Sequence, residues 1–313
     1  MKRIAFMFPG QGSQDIGMGK AFYDSYPEIK EMYQEADEVL KLSLSDIMFN
    51  GPKETLTATQ NAQPALLLSS VAVHTMLLKN EVLPVMAVGH SLGEYSALVA
   101  AGAISLEDAL QLVAVRGKLM EEAFPAGKGA MAAVLGLSEN EVDKSLKSLD
   151  TDEIVDLANI NCPGQIVISG SKEGIDLATS VLKDSGAKRV LPLNVSGPFH
   201  SRLMKAANEK FAEKLEAVSI TDATIPVYAN VTGQPVTEHS EIKELLIKQL
   251  YSPVRFEESI RKMIENGIDA FVEVGNGKVL SGLVKKIDRK IPTFAIQDPD
   301  SMEKFISWYK EDV

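Results

Sequence analysis

Three features of this chain combine residue type and spacing in ways that could support nucleophilic chemistry. Gly89-His90-Ser91-Leu92-Gly93 follows the G-x-S-x-G pattern. In that pattern the glycines permit a sharp turn, and the serine projects its hydroxyl from the end of a sheet. Composition alone would produce such a pentapeptide in about one chain in ten of this length, so the flanks carry the argument. The apolar run Leu83–Val88 precedes it and the alanine-rich stretch Glu94–Ala101 follows it, which reads as buried strand, turn and helix. The helix would aim its free N–H groups and positive dipole end at the serine. The Leu92 N–H, one residue past Ser91, is the expected first oxyanion donor.

A serine needs a base, and only four histidines exist: His74, His90, His200 and His239. His74 falls within an apolar helical pattern and is expected to be packed; His239 lies in the polar run Thr237–Ser240 and is expected to be solvated. His90 precedes the serine and should point away if Ser91 faces a cleft. By elimination the base is His200, in the loop after Gly197-Pro198-Phe199; the alternative is a loop histidine that caps the next helix. No two histidines stand at metal-ligand spacing, which argues against zinc.

Pro9-Gly10-Gln11-Gly12-Ser13 ends another apolar run, Ile4–Phe8. It fails G-x-G-x-x-G because the sixth position is Asp15, and no G-x-x-x-x-G-K-[ST] occurs. A loop after a neighbouring strand is where an α/β-hydrolase-like site takes its second oxyanion N–H, and Gln11 is the expected donor. Arg116 shares a helix face with Leu112, Val113 and Met120, so its guanidinium would be buried and in need of an anion. An internal Asp or Glu, a charged end reaching solvent, and a substrate carboxylate all remain open on periodicity alone.

The elements that must position these residues alternate strand and helix, the grammar of an α/β domain with a largely parallel sheet. Ser105 with Asp108 opens a helix to about Ala123. From Gly129 the order becomes βαββαβ: strands Ala130–Gly136, Glu153–Ile160, Gln165–Ser169 and Arg189–Asn194, with helices Ser138–Leu149 and Lys172–Lys183. That is a ferredoxin-like insert. The expected fold is therefore a large α/β-hydrolase-like domain, residues 1–127 and 197–313, interrupted by a ferredoxin-like small domain, residues 128–196. After the insert come Ser201–Leu215, a strand Val227–Asn230, a helix Lys243–Leu250, a helix after Pro253, the strand Ala270–Val274, and helices to the end.

Composition narrows the classes. In 313 residues, 32 Lys+Arg against 43 Asp+Glu leave a formal charge of −11, the opposite of the basic face nucleic-acid recognition uses. The single Cys162 excludes an internal disulfide or multi-thiolate metal site. Pro9 cuts short the first apolar run, so no signal peptide is read. The Leu83–Ile104 region carries His90 and Glu94 and is not a membrane span. A reducing cytoplasm is the expected location.

Together the motifs resemble the malonyl-CoA:acyl-carrier-protein transacylases of bacterial type II fatty-acid synthesis, over essentially the whole chain. The likeness rests on Phe8–Gln14, Gly89–Tyr95, Arg116-Gly117-Lys118, Asn159 with Pro163-Gly164-Gln165, Phe199-His200-Ser201, Gln249-Leu250-Tyr251 and Val272–Gly275. It implies Ser91 as nucleophile, His200 as base, Arg116 as carboxylate clamp, Gln11 and Leu92 as oxyanion donors, and a carbonyl at Gln249 in place of a triad acid. Phe199 before the histidine, with Leu92 after the serine, resembles the malonyl-selective pattern. Asn276 after Gly275 and Pro198 before Phe199 depart from the family, which often has Pro and Ala there. The activity implied is ping-pong transfer from malonyl-CoA to the phosphopantetheine thiol of acyl carrier protein, with no permanently bound cofactor. A monomer is expected. Alternatives with the same parts are a serine thioesterase or hydrolase, and a non-catalytic acyl-thioester-binding protein. An acidic carrier would need a local basic patch, and Lys278, Lys285, Lys286, Arg289 and Lys290 near one helix are the candidates.

Overall fold

The computed structural model describes residues 2–311; residues 1, 312 and 313 of the expected large domain lie outside it. Strand β1 (Ile4–Phe8) is followed by helices α1 (Lys20–Ser25), α2 (Pro27–Leu40), α3 (Leu44–Asn50), α4 (Lys53–Thr57) and the long α5 (Thr59–Lys79). Then come β2 (Met86–Gly89), α6 (Gly93–Ala100) and α7 (Leu106–Glu122). The next run is β3 (Gly129–Leu135), α8 (Glu139–Lys147), β4 (Val155–Cys162), β5 (Gln165–Ser171), α9 (Lys172–Asp184) and β6 (Arg189–Pro192). The chain ends with α10 (Lys205–Glu216), β7 (Val227–Tyr228), β8 (Pro235–Val236), α11 (His239–Gln249), α12 (Phe256–Glu265), β9 (Ala270–Val274), α13 (Val279–Ile287), β10 (Thr293–Ile296) and α14 (Pro299–Lys310). Among the described residues no helix is long and apolar enough to cross a membrane.

One sheet has the order β10-β9-β1-β2-β7-β8, parallel except for the β7–β8 pair. Its centre, β1, is wholly buried. Ile4, Phe6 and Phe8 join one core and Ala5 and Met7 the other, because alternate side chains leave opposite faces of a strand. A strand covered on both faces reads as an unbroken apolar run. The second sheet, β4-β5-β3-β6, is antiparallel and has a core of its own. The βαββαβ order read from the sequence is the order the chain adopts. The second sheet is tied to the segment that leads into α12, where Asn159 on β4 bridges Val254.

Three expectations need correction. The chain does not run in helices to its end, because β10 pairs with β9; four residues are too few to show a periodicity, and the existing ladder supplies their partner. The strand expected at Leu83–Val88 begins at Met86, after Pro84, and Leu83 is 57% exposed; proline removes a ladder donor. The strand expected at Val227–Asn230 stops at Tyr228, and Asn230 instead turns its side chain back onto the neighbouring loop.

Candidate active site

The turn after β2 is tight enough to require both glycines. A Cβ on Gly89 would lie 1.8 Å from the Gly93 carbonyl carbon, and one on Gly93 would lie 2.0 Å from Phe8 O. Between them Ser91 adopts φ 51°, a left-handed conformation that costs an L-residue about 1–3 kcal/mol unless its surroundings enforce it. Asn230 supplies that enforcement. Its Oδ1 accepts from Ser91 N at 2.7 Å and its Nδ2 donates to Gly89 O at 2.7 Å.

Ser91 Oγ lies 2.8 Å from His200 Nε2, and His200 Nδ1 lies 2.9 Å from the Gln249 backbone O. A carbonyl can only accept, so Nδ1 carries the proton and Nε2 presents a lone pair to the serine hydroxyl. His200 is 4% exposed. Burial and then the Arg116 charge push it down to about 3, against the pull of the Gln249 bond, so it is a neutral acceptor at ordinary pH. Neither the Gln11 N–H nor the Leu92 N–H has a partner among the described residues, and Gln11 and Ser91 line one cavity.

Arg116 is fully buried. It donates from Nη1 to Gln63 Oε1 at 2.8 Å, and from Nη2 to Gln249 Oε1 at 2.8 Å and to Ser91 Oγ at 3.1 Å. Two of the alternatives left open by periodicity are thereby removed. The charged end does not reach solvent, and no carboxylate lies within ion-pair distance of it among the described residues. Neutral amide oxygens hold the guanidinium instead, so its charge has no direct counterion. Phe199, Met120, Met131 and His90 help line the cavity at Ser91, of about 140 Å³. Pockets for drug-sized ligands run to about 300–1,000 Å³, so this one suits a short acyl group.

The acyl transferase domain family matches residues 5–294. The malonyl CoA-acyl carrier protein transacylase of Bacillus subtilis (strain 168) is 55% identical over all of this chain and 99% of its own length. The chain belongs to the malonyl CoA-acyl carrier protein transacylase family. Among solved transacylase structures, an acyl carrier protein S-malonyltransferase from Vibrio cholerae superposes with a TM-score of 0.95 at 42% identity, covering 97% of this chain and 99% of that one. A malonyl-transacylase in complex with its type II PKS acyl-carrier protein gives 0.95 at 40% identity with the same coverage.

In this transacylase the other histidines divide as follows. His74 packs edge-on against Phe6 and Phe8, and burial pushes it down to about 4. His239 is exposed and bonds Asp222 at 2.7 Å. His90 is among the residues that line the cavity, and its ring turns to Asn161 on β4, Nε2 lying 2.8 Å from Asn161 Oδ1, with the Phe256 ring 5.7 Å away. Its backbone still follows the sheet, donating to Phe8 O, which raises the ring toward the second sheet. Lys285 and Lys286 close α13, with Lys286 donating to Gln165. Lys278 stands at the opposite end, seven and eight residues from Lys285 and Lys286 and about 10–12 Å along the axis.

Sequence reasoning gave no role to Gln63, Asn230 or Glu94. Each carries a signal in hindsight, a polar side chain within an apolar stretch, and each is at most 3% exposed in Gln63 and Glu94 and 1% in Asn230. The two departures from the family pattern are both accommodated. Asn276 Nδ2 donates to Ser13 O at 2.6 Å, and Pro198 O accepts from Ser201 Oγ at 2.6 Å.

Proposed function

We propose that this chain transfers the malonyl group of malonyl-CoA to the phosphopantetheine thiol of acyl carrier protein through an ester on Ser91. The observation that carries the reading is the Ser91 Oγ–His200 Nε2 contact of 2.8 Å with a buried Arg116 donor 3.1 Å from the same oxygen. His200 Nε2 takes the hydroxyl proton as Oγ attacks the thioester carbonyl, and the Gln11 and Leu92 N–H groups receive the oxyanion. Collapse expels the coenzyme A thiolate, which takes the proton from His200. In the second half the carrier thiol gives its proton to His200 and attacks the ester, and Ser91 leaves with that proton. The Gln249 carbonyl holds the imidazole tautomer throughout. Arg116, already within reach of Oγ, pairs with the free malonyl carboxylate, and Phe199 bounds the acyl pocket. No permanently bound cofactor enters, and a cytoplasmic location is in keeping with the reduced, buried Cys162.

Intact-protein mass after mixing with malonyl-CoA tests this directly. A gain of one malonyl group is expected, lost rapidly on adding holo carrier protein and slowly in plain buffer. No adduct would overturn the reading, and rapid loss in buffer would make the chain a hydrolase.

A core of its own under the second sheet supports a division into residues 1–127 with 197–313 and residues 128–196, the two joined where Met131, Ala158 and Val167 pack into the large core, with the thioester entering between them. For the acidic carrier, Lys285, Lys286 and Arg289 at the end of α13 are the proposed docking cations. Reversing Lys285 and Arg289 to Glu is expected to raise KM for carrier protein about tenfold, since each exposed pair contributes up to about 1 kcal/mol. KM for malonyl-CoA should stay level in the same assay; an equal rise in both would remove this surface.

A further inference from the structure

Glu94 has no part in the chemistry above, yet it is an acid buried one helical turn from the nucleophile. It is 3% exposed. Its Oε2 accepts from Gln249 Nε2 at 2.6 Å and from the Asn230 backbone N–H at 3.1 Å. Both donors belong to residues that hold the reacting groups. Gln249 turns its other amide atom, Oε1, to Arg116 Nη2, and Asn230 brackets the strained Ser91 on both sides.

A carboxamide has two faces of nearly equal shape and opposite polarity. Rotated by half a turn, Gln249 would present its NH₂ to the guanidinium, donor against donor. Something must choose the orientation. Oε1 toward Arg116 is the orientation in which NH₂ finds an acceptor, and the acceptor with the shorter contact is Glu94, with Ser91 O at 3.1 Å beside it.

We propose that Glu94 is a positioning residue whose buried carboxylate oxygen locks the Gln249 carboxamide with its own oxygen facing Arg116, and so sets the aim of the guanidinium at the acyl group. The proposal rests on the reading of Ser91 as nucleophile and Arg116 as carboxylate clamp. What matters in it is an acceptor at the Oε2 position rather than a charge. Burial pushes Glu94 up to about 7, and a single oxygen receives both N–H groups. Glutamine at this position can place its amide oxygen there; leucine cannot.

The test is the ratio of malonyl to acetyl loading on Ser91, measured as kcat/KM for the two thioesters. Acetyl has no carboxylate, so damage to the turn or the base lowers both rates and leaves the ratio alone, whereas loss of aim lowers malonyl selectively. Glu94→Leu is expected to reduce the ratio by about ten- to a hundredfold, the range for a lost hydrogen bond to a charged group. Glu94→Gln should keep it within about threefold of the parent. Gln249→Leu, which retains the backbone carbonyl on His200, should reduce the ratio to the level of Glu94→Leu, and the double variant no further, because the two act as one unit. A parental ratio in Glu94→Leu, or a ratio in Glu94→Gln as low as in Leu, overturns the proposal. Should Glu94→Leu not fold, a parental ratio in Gln249→Leu overturns it equally. A parent chain with no preference for malonyl would instead sink the clamp on which the proposal rests.

Discussion

His200→Ala is expected to slow malonyl-Ser91 formation by about 10⁴–10⁶-fold while leaving KM for malonyl-CoA within a few-fold of the parent. The geometry gives the reason. The Nε2 lone pair is the acceptor 2.8 Å from Ser91 Oγ, and the other strong contact of that oxygen is a donor, Arg116 Nη2. With the imidazole gone, the hydroxyl proton has no recipient, because no other residue lining the cavity hydrogen-bonds Ser91 Oγ. The same burial fixes the pH dependence of the parent chain. His200 is pushed down to about 3; protonation destroys the base, so its contribution is present above that value and lost only as pH falls through it. Acetyl-CoA loading, free of any substrate carboxylate, is therefore expected to show no imidazole step down to about pH 5. Because the neighbouring Glu94 carboxyl is pushed up to about 7, a step near the ordinary histidine value of about 6.5 that persists in Glu94→Gln would mean that the base is solvated or is another residue. Single-turnover rates for parent and variant across that range decide it.

How much of this could be read beforehand follows from distance along the chain. The turn at Ser91 was legible because its determinants are local: Gly89 and Gly93 lie two residues on either side, and the close approaches that exclude a Cβ there involve the turn itself and the adjacent β1 end. The Ser105 cap was legible for the same reason, with Asp108 N donating to its side chain. Arg116 was half legible. Helical periodicity put its side chain on the buried face, where it is, but could not say what it would meet. Its partners Gln63 and Gln249 come from positions 53 and 133 residues away, and only the assembled sheet brings them together. Asn230 is 139 residues from the Ser91 it braces. Its signal was masked because the segment around it reads as strand. For His90 only a direction away from the serine was legible; the ring's partners, Asn161 on β4 and Phe256, lie far along the chain and come together only in the fold.

Arg116→Ala is the change with the clearest consequence for selectivity. Here a buried guanidinium is held by three neutral oxygens, from Gln63, Gln249 and Ser91, and not by a carboxylate. Those hydrogen bonds and the Tyr95 ring, 5.3 Å from Cζ, offset only part of the desolvation cost, and an arriving anion relieves more of it. The malonyl carboxylate is that anion. Breaking a buried pair of this kind costs roughly 3–5 kcal/mol, so kcat/KM for malonyl-CoA is expected to fall about 10²–10³-fold. Acetyl loading should fall far less, because its acyl group never used the cation; what it loses is one donor to Ser91 Oγ and the order of two glutamine amides left without their donor. Arg116→Lys should not restore the preference. A lysine ammonium is a point donor and cannot span Gln63 and Gln249 as the planar guanidinium does. Competition between the two thioesters for one enzyme sample measures the ratio directly and cancels any difference in folded fraction. Full malonyl preference in Arg116→Ala would show that the carboxylate is recognised elsewhere, and the buried charge would then need another explanation.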